Sequence, residues 1–160
     1  MSYIWYSVCS IMSRPKPHMW YPRNPNKYMG NPNNICVRSS WETKVCVWLD
    51  TSINILEWSS EEIVIPYISP VDGKYHRYFP DFFVRVKQQD GTVKSMILEV
   101  KPHSQIIEPK IKKRITKAYI NEVATYGVNQ AKWRAAIEYC LDRGWEFRTL
   151  DEYDLGIKQR

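Results

Sequence analysis

The 160-residue chain predicts an α/β fold: an α/β/α core with a central mixed β-sheet, preceded by an extended basic N-terminal arm. Three observations predict it. Residues 78–101 form two arms rich in Val, Ile and Phe on either side of Asp90-Gly91, a pair that tolerates positive φ and suits a tight hairpin connection. On both sides of this hairpin apolar residues recur at helical spacing, Trp41, Val45, Trp48 and Leu49 upstream and Trp133, Ala136, Ile137, Cys140 and Leu141 downstream. A last apolar run, 145–150, follows the downstream helix, and a strand, crossover helix and strand in one sheet normally run right-handed with the strands parallel.

Taken in order, residues 1–11 are apolar and aromatic but lack the basic start and small-residue cleavage site of a secretory signal. Residues 12–36 are dense in Pro, Asn, Arg, Lys, Trp and Tyr, and no acid occurs before Glu42. This composition divides the chain into an arm, 1–37, and a second region, 38–160. In the arm Arg14, Lys16, Arg23 and Lys27 interleave with Trp20, Tyr21 and Tyr28, a pattern that suits phosphate contacts and stacking on bases and equally suits an arm packed over the core. Ser39 and Glu42 fit a capping box opening a helix over 40–50. Residues 61–67 read as the strand before the hairpin, so that three consecutive antiparallel strands follow one another. Beyond the hairpin come one helix over 111–126, carrying Ile111, Ile115, Tyr119 and Val123, and a second over 130–143 closed by Gly144.

The net charge of +6 favours an anionic partner, with DNA ahead of a membrane surface because no stretch approaches the apolar length of a span. The four cysteines are scattered without a C-x-x-C pair, which speaks for reduced thiols and against zinc. A basic run, Lys110, Lys112, Lys113, Arg114 and Lys117, follows the hairpin, either a solvated face or a surface for the DNA backbone.

The chemistry concentrates at one end of the hairpin. Glu99 and Lys101 are two apart, so both side chains lie on one face while Val100 points to the other. Asp81 opens the first arm, and antiparallel pairing can bring it opposite the end of the second. Two carboxylates with a lysine match a site for a hard divalent cation, which takes oxygen ligands and keeps several waters. The lysine can then orient the attacking water and offset the charge growing on phosphorus. Glu42, three residues after Ser39, reads on spacing alone as a cap reaching back to the backbone.

Pro80-Asp81 followed by Glu99-Val100-Lys101 resembles the motif of the PD-(D/E)XK nuclease superfamily, whose restriction-endonuclease-like core has the same order of elements. Arg38-Ser39-Ser40-Trp41-Glu42, Tyr78-Phe79-Pro80-Asp81, Glu99-Val100-Lys101 and Asn129-Gln130-Ala131-Lys132-Trp133 together resemble the TnsA-type transposon endonucleases and, more closely, the head-completion nucleases of T-even-like bacteriophages. TnsA-type enzymes often carry Gln where this chain has Glu99. The resemblance implies an Mg²⁺- or Mn²⁺-dependent deoxyribonuclease with Asp81, Glu99 and the Val100 carbonyl on the metal, Lys101 assisting the water and Glu42 supporting the site. The basic arm and the basic run, with Lys132 placed by the resemblance, make Arg14, Lys16, Arg23, Lys27, Arg38, Lys110, Lys112, Lys113 and Lys132 the expected DNA contacts. The expected partners are DNA and phage portal or neck proteins, with no membrane and no nucleotide cofactor, and the expected locations are the virion and the host cytoplasm. The alternative is a non-catalytic head-completion protein that binds DNA or the portal through a nuclease-like fold.

Overall fold

The computed structural model describes residues 16–159; Arg14 and the segment 1–11 lie outside the described residues. The elements run β1 (His18–Trp20), a 3₁₀ turn (Pro25–Lys27), β2 (Ile35–Val37), α1 (Ser40–Thr51), β3 (Ile55–Ser60), β4 (Ile65–Ile68), β5 (Tyr75–Tyr78), β6 (Phe82–Lys87), β7 (Val93–Val100), α2 (His103–Ile106), α3 (Lys117–Leu141) and β8 (Glu146–Leu150). The central sheet has the order β3-β6-β7-β8, antiparallel from β3 to β7 and parallel between β7 and β8. It is the mixed sheet expected.

Strand alternation splits the core into two layers. Phe82, Val84, Leu98 and Val100 face α1, joining Val45, Cys46 and Leu49. Phe83 and Ile97, one step out of phase, face α3 and meet Trp133, Ala136 and Cys140. The hairpin turns where Asp90-Gly91 predicted, with Gly91 at φ 86°.

The strand expected over 61–67 is not the sheet neighbour of the hairpin. That place belongs to β3, paired Trp58↔Val84 and Ser60↔Phe82. Glu61, at φ 55°, turns the chain out of the sheet, and Pro66 lacks the N–H that a central strand must donate. β4 therefore pairs only with β5, in a separate two-stranded ribbon with Ile65↔Tyr78 and Ile68↔Tyr75, and the expected run of three consecutive antiparallel strands is replaced by β3, β6 and β7.

The two downstream helices are one. Helix α3 runs through Gly127 for 25 residues and starts at the cap Thr116, whose Oγ1 accepts from the Tyr119 N–H. Lys110, Lys112 and Lys113 thus precede the helix, as does Ile111, which is 95% exposed. Trp133, Ala136 and Cys140 of the expected stripe are buried, whereas Ile137 and Leu141 face solvent.

The arm is folded back on the core. β1 pairs with β2, and Tyr28, Ile35 and Val37 are buried in the same cluster as Val45 and Leu49, so the compositional boundary at residue 37 crosses a shared core. Trp58 is the joint: Trp20, Tyr28 and Phe82 pack around its indole, Trp20 and Tyr28 edge-on. Buried Asp50 holds the arm at the other end, its carboxylate accepting from the Arg23 and Asn24 backbone N–H groups at 2.8 and 3.1 Å.

Candidate active site

The site forms where β6 begins and β7 ends. Asp81 is the last residue before β6, so the Val100 N–H, which a longer β6 would have met with a backbone carbonyl, instead donates to Asp81 Oδ2 at 2.7 Å. A residue's N–H and C=O point to the same side of a strand, so the Val100 carbonyl is turned toward Asp81 as well. The next N–H, that of Lys101, goes the other way, to the Leu150 carbonyl of β8 at 3.0 Å.

Glu99 is 3% exposed. Its Oε2 accepts from the Tyr78 hydroxyl at 2.7 Å and from the Asp81 N–H at 3.3 Å, and its Oε1 lies 3.0 Å from the Lys101 ammonium. A carboxylate offers about four lone-pair positions. Both positions on Oε2 are taken, and one on Oε1 remains beside the lysine. Asp81, Glu99 and Lys101 are thus brought together as the spacing suggested.

Burial, and then the charge of Glu99, push the Asp81 carboxyl well above the usual range, although Lys101 and the Val100 N–H pull it down. Burial also works against the Lys101 ammonium, but Glu99 and Asp81 more than offset it and its pKa is raised. Raised in this way, the Asp81 carboxyl holds a proton that a cation could replace. Because the folded pKa of Asp81 is raised, stability from this group is complete below its unfolded value of about 3.9 and is lost as pH rises through the higher folded value. In EDTA the melting temperature is expected to fall on going from acid to neutral pH, and Asp81→Asn to flatten that slope; equal slopes in the two proteins would remove Asp81 as the cause.

Glu42 caps α1. Its Oε2 accepts from the Arg38 N–H at 2.8 Å, its Oε1 from the Ser39 hydroxyl at 2.9 Å, and Ser39 Oγ accepts in turn from the Glu42 N–H. Its charge also acts on Asp81 and Lys101. Among the described residues no group of three or more His, Cys, Asp or Glu is arranged to hold a metal ion. Two carboxylates and a backbone carbonyl do fit Mg²⁺, which keeps waters and is commonly bound through one or two carboxylates plus substrate phosphate.

The basic candidates divide. Lys132 is brought to the site: its ammonium lies over the rings of Tyr67 and Tyr78 at 5.7 and 5.6 Å, one residue removed from Glu99. Lys27 instead caps the end of α1, donating to the Asp50 and Ser52 carbonyls, Arg38 pairs with Glu61, and Lys112 pairs with Glu122. Lys16, Arg23, Lys110 and Lys113 are exposed.

Two features went unread in the sequence. Tyr78 anchors Glu99, and the only hint was a phenol near the motif that, once buried, needs a partner. The other lies where β7 and β8 end: His103 Nδ1 is 2.8 Å from Asp151 Oδ2, and Glu152 accepts from the His103 N–H at 2.8 Å. Two adjacent acids directly after a strand were its signal.

The family described as TnsA-like endonuclease N terminal matches residues 52–152, which include Asp81, Glu99, Lys101 and Lys132. The chain is also 37% identical over 137 residues, 83% of its own length and 89% of the relative's, to the head completion nuclease of Enterobacteria phage T4. With the motif residues converging in an α/β/α core and the family match covering more than half of the sequence, this chain belongs to the TnsA-like endonucleases.

Proposed function

We propose that the protein is a divalent-cation-dependent DNA endonuclease that hydrolyses phosphodiester bonds during completion of the packaged phage head. The observation that carries this reading is the convergence of Asp81 and Glu99 with the Lys101 ammonium on Glu99 Oε1. Mg²⁺ or Mn²⁺ held by Asp81, Glu99 and the Val100 carbonyl would supply Lewis acidity and a template for the phosphate oxygens. Lys101 orients the attacking water and offsets negative charge on phosphorus as it develops. Tyr78 and the Asp81 N–H fix the Glu99 carboxylate so that Oε1 faces the reaction. Exposed Lys16, Arg23, Lys110 and Lys113, with Lys132 beside the pocket, contact the phosphate backbone, and the same head-completion role makes portal or neck proteins partners in the virion and the infected cell.

Nicking of supercoiled plasmid tests the reading. Cleavage is expected with Mg²⁺ or Mn²⁺, little with Ca²⁺, whose larger size relaxes the geometry, and none in EDTA. Cutting that continues in EDTA would overturn the metal assignment. DNA binding without cutting in any cation would leave the non-catalytic head-completion role.

A further inference from the structure

The β4–β5 ribbon has two unlike faces. Ile65, Tyr67 and Tyr78 are buried against Trp133 and Ala136 of α3. The opposite face carries Pro66 and Ile68 on β4 and Tyr75 and Arg77 on β5, all exposed, Tyr75 at 77%. Phe79, one residue past β5 and 41% exposed, continues that face, since the Arg77 guanidinium lies 5.8 Å over its ring. Pro80 then leads straight to Asp81. The aromatic and basic row 75, 77, 79 therefore ends two residues, at most about 7 Å of chain, from the candidate catalytic carboxylate.

An apolar face of this kind needs an occupant, and its chemistry selects one. Tyr75 and Phe79 offer flat rings, Arg77 can pair with phosphate, and Lys74 stands at the ribbon tip beside Asp72, whose carboxylate is already engaged by His76 at 2.9 Å. Alternate residues of a strand stand about 6.8 Å apart, twice the 3.4 Å step of bases stacked in a duplex strand. That spacing suits bases pulled apart and laid one by one on side chains, the way single-stranded nucleic acid is held by aromatic platforms with cations between them.

We propose that the outer face of the β4–β5 ribbon, with Tyr75, Arg77 and Phe79, binds the unpaired bases of single-stranded DNA and feeds that strand to Asp81, Glu99 and Lys101. This rests on the nuclease reading and deepens it: the preferred substrate is DNA with an unpaired tail or a frayed segment at the point of cutting. Blunt duplex would meet only the general positive charge.

The test is fluorescence anisotropy of the full-length protein in Ca²⁺ with three DNA probes of one sequence: a blunt duplex, the same duplex with a single-stranded tail, and the unpaired oligonucleotide. The tail also carries 2-aminopurine, whose emission is quenched on stacking. Wild type is expected to bind the tailed probe about tenfold or more tightly than the blunt one and to quench the tail. Phe79→Ala and Tyr75→Ala should each lose about tenfold on the tailed and unpaired probes, with the blunt duplex unchanged, and Phe79→Trp should retain both affinity and quenching. If Phe79→Ala fails to fold, Tyr75→Ala, at a side chain that is mostly in solvent, still decides the matter. Equal affinity for tailed and blunt DNA, or equal losses on every probe, would overturn the platform, as would a face that contacts a protein partner with no effect on DNA. Cleavage of the blunt and tailed probes in Mg²⁺ by the same preparations separates the two claims. Cutting without tail preference refutes the platform alone, whereas tail binding without cutting refutes the nuclease alone.

Discussion

Lys101→Met is expected to lower cleavage by about 10²-fold or more, the scale of a single preorganised electrostatic donor, while leaving a folded protein that still takes up Mg²⁺. The reason lies in the pairing of Lys101 with Glu99 Oε1 at 3.0 Å. Methionine keeps the stem and its packing but removes the ammonium, so the pocket retains its oxygen atoms and loses the group proposed to orient water. Removal also leaves the buried Glu99 carboxylate without its cation. The variant should therefore melt below wild type in EDTA, since an unpaired buried charge is costly, and should gain more than wild type from added Mg²⁺ by linkage. Wild-type cutting by Lys101→Met would show that the lysine serves the fold and not the chemistry.

Trp58→Ala should have the largest effect on stability, about 3–5 kcal/mol. Trp58 is wholly buried and holds the arm to the sheet through Trp20 and Tyr28, while the Met29 N–H donates to its carbonyl at 2.8 Å. Truncation opens a cavity at the point where arm and core meet, so the arm should become sensitive to protease before the rest of the chain. The Trp58 Nε1 has no hydrogen-bond partner among the described residues. Trp58→Phe removes that unsatisfied donor and keeps most of the packing, and should cost clearly less than alanine. Denaturant unfolding of the two variants measures both values; equal losses would mean that ring volume is not what holds the joint.

The parts of this molecule legible in its sequence were those set by neighbours in the chain. The β6–β7 hairpin follows from alternation and Asp90-Gly91, Glu99 and Lys101 share a face by the period of a strand, and Ser39 with Glu42 closes the first turn of α1. Each signal spans a few residues. What stayed hidden depends on distant pairing. β3 hides because Glu57, Ser59 and Ser60 dilute its apolar pattern, and its place in the sheet is secured by Trp58 packing against an arm about thirty residues earlier. Residues 61–67 look more strand-like, yet the turn at Glu61 and the missing donor of Pro66 send them to the ribbon. Gly127 marks a break in the periodicity that α3 simply runs through, at a propensity cost of about 1 kcal/mol. Within the site, Asp81, Glu99 and Lys101 were legible as residue types at a spacing, whereas Tyr78 joins them only because β5 ends beside Glu99. The charge of Lys27 suits a DNA contact, and only the folded arm shows that its ammonium also meets the open carbonyls at the end of α1.

Whether Asp81 and Glu99 form a cation site is the central question, and calorimetric titration of Mg²⁺ into metal-free wild type, Lys101→Met and Asp81→Asn answers it most directly. Wild type is expected to bind, Lys101→Met to bind at least as tightly because a nearby positive charge has gone, and Asp81→Asn to bind much more weakly because a charged oxygen ligand has been replaced by an amide. Unchanged Mg²⁺ affinity in Asp81→Asn, with the protein folded, would contradict the site.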